Sequence, residues 1–374
     1  MRNTRLRFAW RDAAFGNRYH SGVSLHSHTL HSRESLGFIY RVAAQVGFID
    51  AAVRRGQRRQ GGKIDLERGW WTPPLTPRTA WDLESRQIEA DLGLRALVSL
   101  SDHDSIEGPL ELRTSPHLGN APISVEWTVP IAGARLHLGV HNMPPGPASR
   151  TFQAMRHYTS GTSPDTLGDV LRALRAEPAT LVVLNHPLWD EEQVGGERHH
   201  AALEALRRNH GECIHALEIN GLRPWTENLQ AAELARAWGK PLVSGGDRHG
   251  LEPNALLNLT GAASFDEFAG EVRGGHSEIF ITSHYRRPLF WRMFDAVLDA
   301  VGDHDLHGLG WKRWDQRVFY ECDDGAVRSL EQIWGDRSPG LVRGFTLLAR
   351  AMHRSWMQRT LRFALGAPRL EVTL

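Results

Sequence analysis

Short apolar runs alternate with amphipathic stretches along most of the chain. YHSGVSLHSH (19–28) reads as a short strand ending in two histidines. Leu36, Ile39, Tyr40, Ala43 and Val46 recur at helical spacing and predict a helix over 35–55. GQRRQGGKIDLERGWWTPPL (56–75) is Gly- and Arg-rich and carries two prolines near its end, which predicts a loop. A helix over 79–92 should stop at Gly93. LRALVSLSDHD (94–104), APISVEWTV (121–129), ARLHLGVHN (134–142), ATLVVLNHP (179–187) and CIHALEIN (213–220) read as strands, and KPLVSGGDRHG (240–250) as strand plus loop. Helices are predicted over 166–176, 198–210, 226–238 and 264–275, with a last strand near SEIFITS (277–283). Strands alternating with helices predict an α/β fold with a largely parallel sheet. Chemically active residues recur at the C-terminal ends of the strands, the working rim of a barrel or an open α/β sheet.

The pattern changes after residue 284. Residues 285–374 hold five of the 13 tryptophans and repeat no strand-then-acid motif. Leu341, Phe345, Leu348, Met352 and Trp356 share one face of a predicted helix over 341–363, with Arg343, Arg350 and Arg354 opposite. Six arginines face the single acid Glu371 between 341 and 374, so this helix either docks its apolar stripe on its own domain or lies on an anionic membrane or partner. The domain boundaries read from the pattern are 1–284 and 285–374, the second a helical extension.

At 374 residues the chain is long enough for one large domain plus an appendage. Its 44 basic and 43 acidic residues exclude a grossly basic nucleic-acid binder, though not a local patch. Arg54, Arg55, Arg58, Arg59 and Lys63 form one such patch, which with Trp70 and Trp71 offers phosphate and base contacts to nucleic acid. Packing of those tryptophans onto the domain is the plainer expectation. Cys213 and Cys322 lack any CxxC spacing, which excludes a zinc knuckle and a disulfide framework. No secretory signal and no transmembrane run are expected, which fits a cytoplasmic location. Histidine is the unusual count, at 20, and histidine is the commonest metal-ligating and proton-carrying side chain.

Six motifs end strands in order: LHSH with His26 and His28, SDHD with Asp102 and His103, VEW with Glu126, LHLGVHN with His137 and His141, NHP with His186, and GGDRH with Asp247 and His249. Side chains two apart on a strand point the same way, so HxH and DxH each present two ligands on one face. Imidazole mixed with carboxylate, without thiolate, suits zinc, manganese or iron.

The ordered set resembles the PHP family, the polymerase and histidinol phosphatase superfamily of metal-dependent phosphoesterases, over about residues 20–284. The resemblance implies a PHP-type distorted (β/α)7 barrel carrying up to three divalent transition metals (Zn, Mn or Fe) at its C-terminal rim. Carried over residue by residue, His26, His28 and Asp247 would hold the first metal. Glu126 would bridge it to a second, completed by His141 and His186, and His103 and His249 would hold a third. His137 is the rival of His141. Asp102 and Asn185 would support the ligands from behind. HTLHSRES departs from the family pattern, since Arg33 stands where the family often has a metal-binding Asp. Glu34 is the substitute ligand chosen here, with His31 as rival, and without either the cluster would hold two metals.

The resemblance implies hydrolysis of phosphate esters, with a phosphorylated small molecule, nucleotide or oligonucleotide as substrate. Metals sharing Glu126 would acidify a bridging water to hydroxide. Glu126 and Asp247 are thus candidate catalytic residues, and Arg248 and Arg223 are candidate phosphoryl contacts. Two rival functions are hydrolysis of a carbon–nitrogen bond and a non-catalytic metal-stabilised interaction module. The size of the ligand set argues against the module.

Overall fold

The computed structural model describes residues 4–11, 18–36, 68–162, 166–304 and 309–335, with isolated positions between 340 and 351. The helix expected over 35–55 beyond Leu36, the basic stretch Arg54–Lys63, and the C-terminal helix apart from isolated positions lie outside the described residues.

In chain order the strands are β1 (Thr4–Phe8), β2 (Ser21–Ser24), β3 (Glu34–Ser35), β4 (Gly69–Trp71), β5 (Arg95–Val98), β6 (Ile123–Ile131), β7 (Ala134–Met143), β8 (Leu181–Leu184), β9 (Ala216–Asn220), β10 (Leu242–Gly245), β11 (Leu256–Thr260), β12 (Ser277–Ile281), β13 (Val318–Glu321) and β14 (Val327–Ser329). The helices are α1 (Pro77–Leu92), α2 (Glu107–Arg113), α3 (Ala148–Thr159), α4 (Leu167–Ala176), α5 (Gly196–His210), α6 (Trp225–Trp238), α7 (Phe265–Arg273), α8 (Leu289–Val301) and α9 (Leu330–Trp334). Local chemistry sets their ends. Thr76 caps α1 by accepting from the Thr79 N–H, Pro77 supplies the fixed φ of a first turn, and Gly93 closes the helix at φ 65°. Among the described residues, no helix is long and apolar enough to cross a membrane.

The chain forms two compact units. The first comprises the described residues of 1–31 and 75–296, the second those of 32–74 and 297–367. Two five-stranded sheets build the first unit, ordered β1-β12-β11-β2-β5 and β10-β9-β8-β7-β6. A largely parallel sheet is not what forms. The pairings β6–β7, β7–β8, β11–β12 and β11–β2 are antiparallel, while β1–β12, β2–β5, β8–β9 and β9–β10 are parallel. The β6–β7 link is a two-residue turn at Ala132 and Gly133, both at positive φ, and so short a turn can join only antiparallel strands. Among the described residues these ladders do not close into a ring, so the structure itself is a mixed α/β fold of several sheets.

Strand alternation sorts the side chains of the second sheet. Val125, Trp127 and Val129 of β6, Leu136, Leu138 and Val140 of β7, Val182 and Leu184 of β8, and Leu217 and Ile219 of β9 pack with α3, α4, α5 and α6 in one core. The opposite positions Leu181, Val183, Ala216 and Val243 join Val23, Leu25, Phe265 and Phe268 in a second core, which α7 helps to fill. Along that inner face the chain turns polar toward one end: Ala216 gives way to Glu218 and Asn220, and Leu181 and Val183 to Asn185. That polar end carries the histidine motifs.

At the foot of β9, His215 Nδ1 accepts the Val182 N–H at 2.9 Å. Burial, with the cations of Arg273, Lys240 and Arg175, pushes its pKa down to about 3. The unfolded chain takes up this proton near pH 6.5. The neutral form therefore contributes stability that is complete above pH 6.5 and is lost as pH falls toward 3. His215→Gln keeps an acceptor for Val182 but cannot titrate, so its melting temperature should fall less than that of the wild type between pH 6.5 and 4. Parallel slopes in thermal melts across that range would contradict this.

The second unit contains the sheet β14-β13-β4-β3. Trp70 pairs with Phe319 across β4–β13, their ring centroids 5.8 Å apart. The tryptophan pair expected in a loop thus lies in a strand, and residues 285–374, expected to be helical, include β13 and β14 beside α8 and α9.

Candidate metal centre

Glu126, fully buried on β6, is the hub of the polar end. Its Oε2 lies 2.9 Å from His26 Nε2, 3.1 Å from His103 Nε2 and 3.4 Å from His28 Nε2. Oε1 lies 3.0 Å from His186 Nε2 and accepts from Asn185 Nδ2 at 2.9 Å. Asp247 stands beside it, Oδ1 being 3.5 Å from His28 Nε2 and 3.7 Å from His26 Nε2. The ring of His249 stacks on that of His28 at 4.3 Å. Within the first unit, three triads have one ligand atom per residue within 4.8 Å of one another: His26–Glu126–His186, His26–His28–Asp247 and His28–His103–Glu126.

Backbone geometry brings these side chains together. Residues just past β2 and β10 form a parallel bridge, Ser27 to Arg248, with His28 N–H donating to Arg248 O at 2.8 Å. The residues flanking each bridge position, His26 and His28 on one side and Asp247 and His249 on the other, therefore point toward the same space. A second parallel bridge joins His103 to Glu126. His186 and Asp247 adopt φ of 25° and 54°, a region that non-glycine residues rarely occupy, and such strain concentrates where function demands it.

The electrostatics follow from burial and proximity. Burial opposes charge on His26, but Glu126, Glu218 and Asp247 outweigh it and hold His26 well above its ordinary pKa. Burial likewise opposes charge on Glu126, which His103 and His26 hold well below the usual carboxylate range. Asp247 is lowered in the same way by His26 and His28 against its burial.

The donor set fits divalent metal. It is buried, mixes imidazole nitrogen with carboxylate oxygen, and includes no thiolate. Two imidazoles also show the support expected of ligating histidines, one ring nitrogen engaged and the other turned to the site. His26 Nδ1 lies 2.8 Å from Glu218 Oε2, and His249 Nδ1 lies 2.8 Å from the Asp247 carbonyl.

Not every expected residue joins the cluster. His141 Nδ1 is hydrogen-bonded to Ser99 Oγ at 2.8 Å, and burial together with the charge of His26 pushes its pKa down to about 3. The residue brought to the cluster from β7 is His137. Its ring lies 4.8 Å from that of His103 and 5.2 Å from that of His186, and Nδ1 is 3.6 Å from Glu126 Oε1. The reason is strand direction. β7 runs antiparallel to β6 and β8, so its earlier residue lies at the polar end: Asn185 N donates to His137 O, whereas His141 pairs with Leu181.

Arg248 is also displaced from its expected catalytic role. Its Nη1 is 3.2 Å from Glu84 Oε1, and Nε and Nη2 donate to the carbonyls of Gly250 and Leu251. It alternates away from its ligand neighbours, which leaves the guanidinium structural. Arg223 is the arginine at the site. Its guanidinium carbon lies 3.6 Å from the Trp189 ring centroid, and Nη2 lies 3.9 Å from Asp247 Oδ2. His31 Nε2 sits 2.8 Å from Glu111 Oε2. Glu34 lies in β3 of the second unit and accepts from Ser32 Oγ at 2.5 Å. Asp102 accepts from the backbone and hydroxyl of Thr29, the residue after HxH.

Three partners of the site escaped the sequence reading. Glu218 supports His26, Asn220 Nδ2 donates to Glu218 Oε1 at 2.6 Å and to Asp247 Oδ2 at 3.2 Å, and Glu191 Oε2 lies 3.1 Å from His137 Nε2. The signal for the first two was present, since ExN at 218–220 ends a strand just as HxH and DxH do. For Glu191, in a loop five residues past His186, there was none.

No family model matches the chain, and neither does any curated protein. Among solved structures it is similar to PsfC from Pseudomonas syringae, at 13% identity over 58% of this chain and 88% of that one, with a TM-score of 0.38. A "putative metal-dependent phosphoesterase" from Bifidobacterium adolescentis matches at 18% identity over 55% and 92%, TM-score 0.34. An amidohydrolase from Chromobacterium violaceum, solved with bound sulfate and no metal, matches at 13% over 61% and 87%, TM-score 0.35.

Proposed function

We propose that this chain is a metal-dependent hydrolase of phosphate esters, built on a distorted barrel of the polymerase and histidinol phosphatase type. The observation that carries the reading is the convergence of His26, His28, His103, Glu126, His186 and Asp247 on one buried space. The apolar core shared by strands of both sheets supports the barrel. In this reading those residues, with His249, hold two or three divalent metals, and His137 takes the place expected for His141.

Bound divalent metals would supply a nucleophile by acidifying water and would neutralise charge on phosphoryl oxygens. The chain supplies the rest. Glu126 and Asp247, held ionised, keep the imidazoles around them oriented. Asn185 fixes Glu126 through Oε1. Arg223 is buried and stacked on Trp189, and among the described residues its Nε makes no hydrogen bond, lying 3.8 Å from Glu227 Oε1, so it offers a pre-oriented cation to a phosphoryl group.

Metal analysis of protein purified without added metal, followed by assay on phosphomonoesters, phosphodiesters and amides, tests the reading. Ester turnover that requires metal is the expected result. Turnover of amides alone would favour the carbon–nitrogen reaction, and no turnover with full metal would favour a binding module. Arg223→Met should raise KM for the ester about 10- to 100-fold, the equivalent of one charge-assisted hydrogen bond, while bound metal stays constant.

A further inference from the structure

Glu84 is a fully buried carboxylate on α1, outside the histidine cluster. Burying such a group requires partners, and its partners form a pattern. Oε1 accepts from Ser27 Oγ at 2.6 Å and lies 3.2 Å from Arg248 Nη1. Oε2 accepts from Asn254 Nδ2, which also donates to Ser24 Oγ at 3.1 Å. One turn along α1, Gln87 exchanges two hydrogen bonds with the backbone of Asn254, each 2.8 Å long.

Ser27 lies between His26 and His28, and Arg248 between Asp247 and His249. These are the two bridge residues, and alternation turns their side chains away from the site. Both turned-away side chains end on the same oxygen of Glu84. The carboxylate thus fastens HxH to DxH from behind, by side chains, at the one point where their backbones pair. The glycines before Asp247 make room for this arrangement. A Cβ on Gly246 would lie 1.8 Å from Asn254 Oδ1, and one on Gly245 would lie 2.4 Å from Glu218 Oε2.

We propose that Glu84 is a positioning residue that fixes the register between the His26/His28 pair and the Asp247/His249 pair, so that the four side chains address one metal cluster. This rests on the metal reading given above. Glu84 bonds Ser27, Arg248 and Asn254, and its effect on the ligands passes through Ser27 and Arg248.

The test uses the full chain loaded with Zn(II) or Co(II). Glu84→Gln keeps one acceptor oxygen but removes the charge opposite Arg248. Ser27→Ala removes only the link to the HxH strand and is the milder change. Both variants should fold, bind Zn(II) roughly 10- to 100-fold more weakly, as for loss of partners that orient metal ligands, and shift the visible absorption of bound Co(II). A lower melting temperature with unchanged Zn(II) affinity and an unchanged Co(II) spectrum in both variants would overturn the proposal. His28→Ala serves as the control. If the wild type binds metal and His28→Ala loses it while both clamp variants match the wild type, only the role of Glu84 fails. If the wild type binds no metal, the metal reading fails and this inference with it.

Discussion

His28→Ala is expected to remove more bound metal than any other single ligand replacement on the HxH and DxH motifs except His26→Ala, and to abolish hydrolysis. His28 belongs to two of the three triads of the first unit, His26–His28–Asp247 and His28–His103–Glu126. Its loss leaves only His26–Glu126–His186 intact. Asp247 belongs to one triad, so Asp247→Ala should release less metal. It should still lose activity by more than the 10- to 100-fold typical of a partner that merely orients a ligand, because it removes charge that the metals need. Metal content by elemental analysis of the folded variants gives the order, and ester turnover gives the activity. His28 is also fully buried, so His28→Gln, closer in volume, separates loss of a ligand from loss of packing. Full metal in both His28 variants would end the assignment of this cluster as a metal centre.

Most of the site was legible because alternation along a strand is a strict rule. HxH at 26–28 and DxH at 247–249 each had to present two side chains to one side, and the bridge between Ser27 and Arg248 turns both pairs the same way. The same rule turns Arg248 away from the site, against its expected role as a phosphoryl contact, and the structure finds its guanidinium on Glu84. Strand direction was not legible. A parallel α/β reading places the later residue of every strand at the working rim, which held for β8 and β10 but not for β7, while in β6 Glu126 lies mid-strand. The β6–β7 turn at Ala132 and Gly133 carried the information, since IAG between two apolar alternating runs marks a hairpin rather than a crossover. β11 escaped notice for a different reason. LLNLT follows the GGDRH loop without a helix between them, and its hydrophobic residues fit no βαβ unit, yet it pairs antiparallel to both β2 and β12. Buried partners such as Glu84 were beyond reach, because nothing in ESRQ distinguishes a buried glutamate on α1 from an exposed one.

His137 and His141 provide the sharpest test of how β7 is read, because both histidines face inward and only their height differs. His137→Ala should lower bound metal and cut ester turnover at least about 100-fold, at the upper end of what loss of a ligand-orienting partner costs. It should also leave Glu191, which now faces His137 Nε2 at 3.1 Å, without its cation. Burial opposes charge on Glu191, but the hydrogen bond to His137 outweighs it and holds the pKa at about 2, so in the metal-free variant that value should rise toward the ordinary range. His141→Ala should behave in the opposite way. His141 is 1% exposed, and Ser99 Oγ is its hydrogen-bond partner, itself donating to Ser124 Oγ at 2.8 Å. Its loss should remove one of the two hydrogen bonds of Ser99 Oγ at a cost of about 0.5–1.5 kcal/mol in unfolding free energy, with metal content close to that of the wild type. Denaturant unfolding and elemental analysis on the same two samples decide the matter. If His141→Ala loses the metal while His137→Ala keeps it, the later histidine is the ligand after all, and β7 must contribute to the site from its far end.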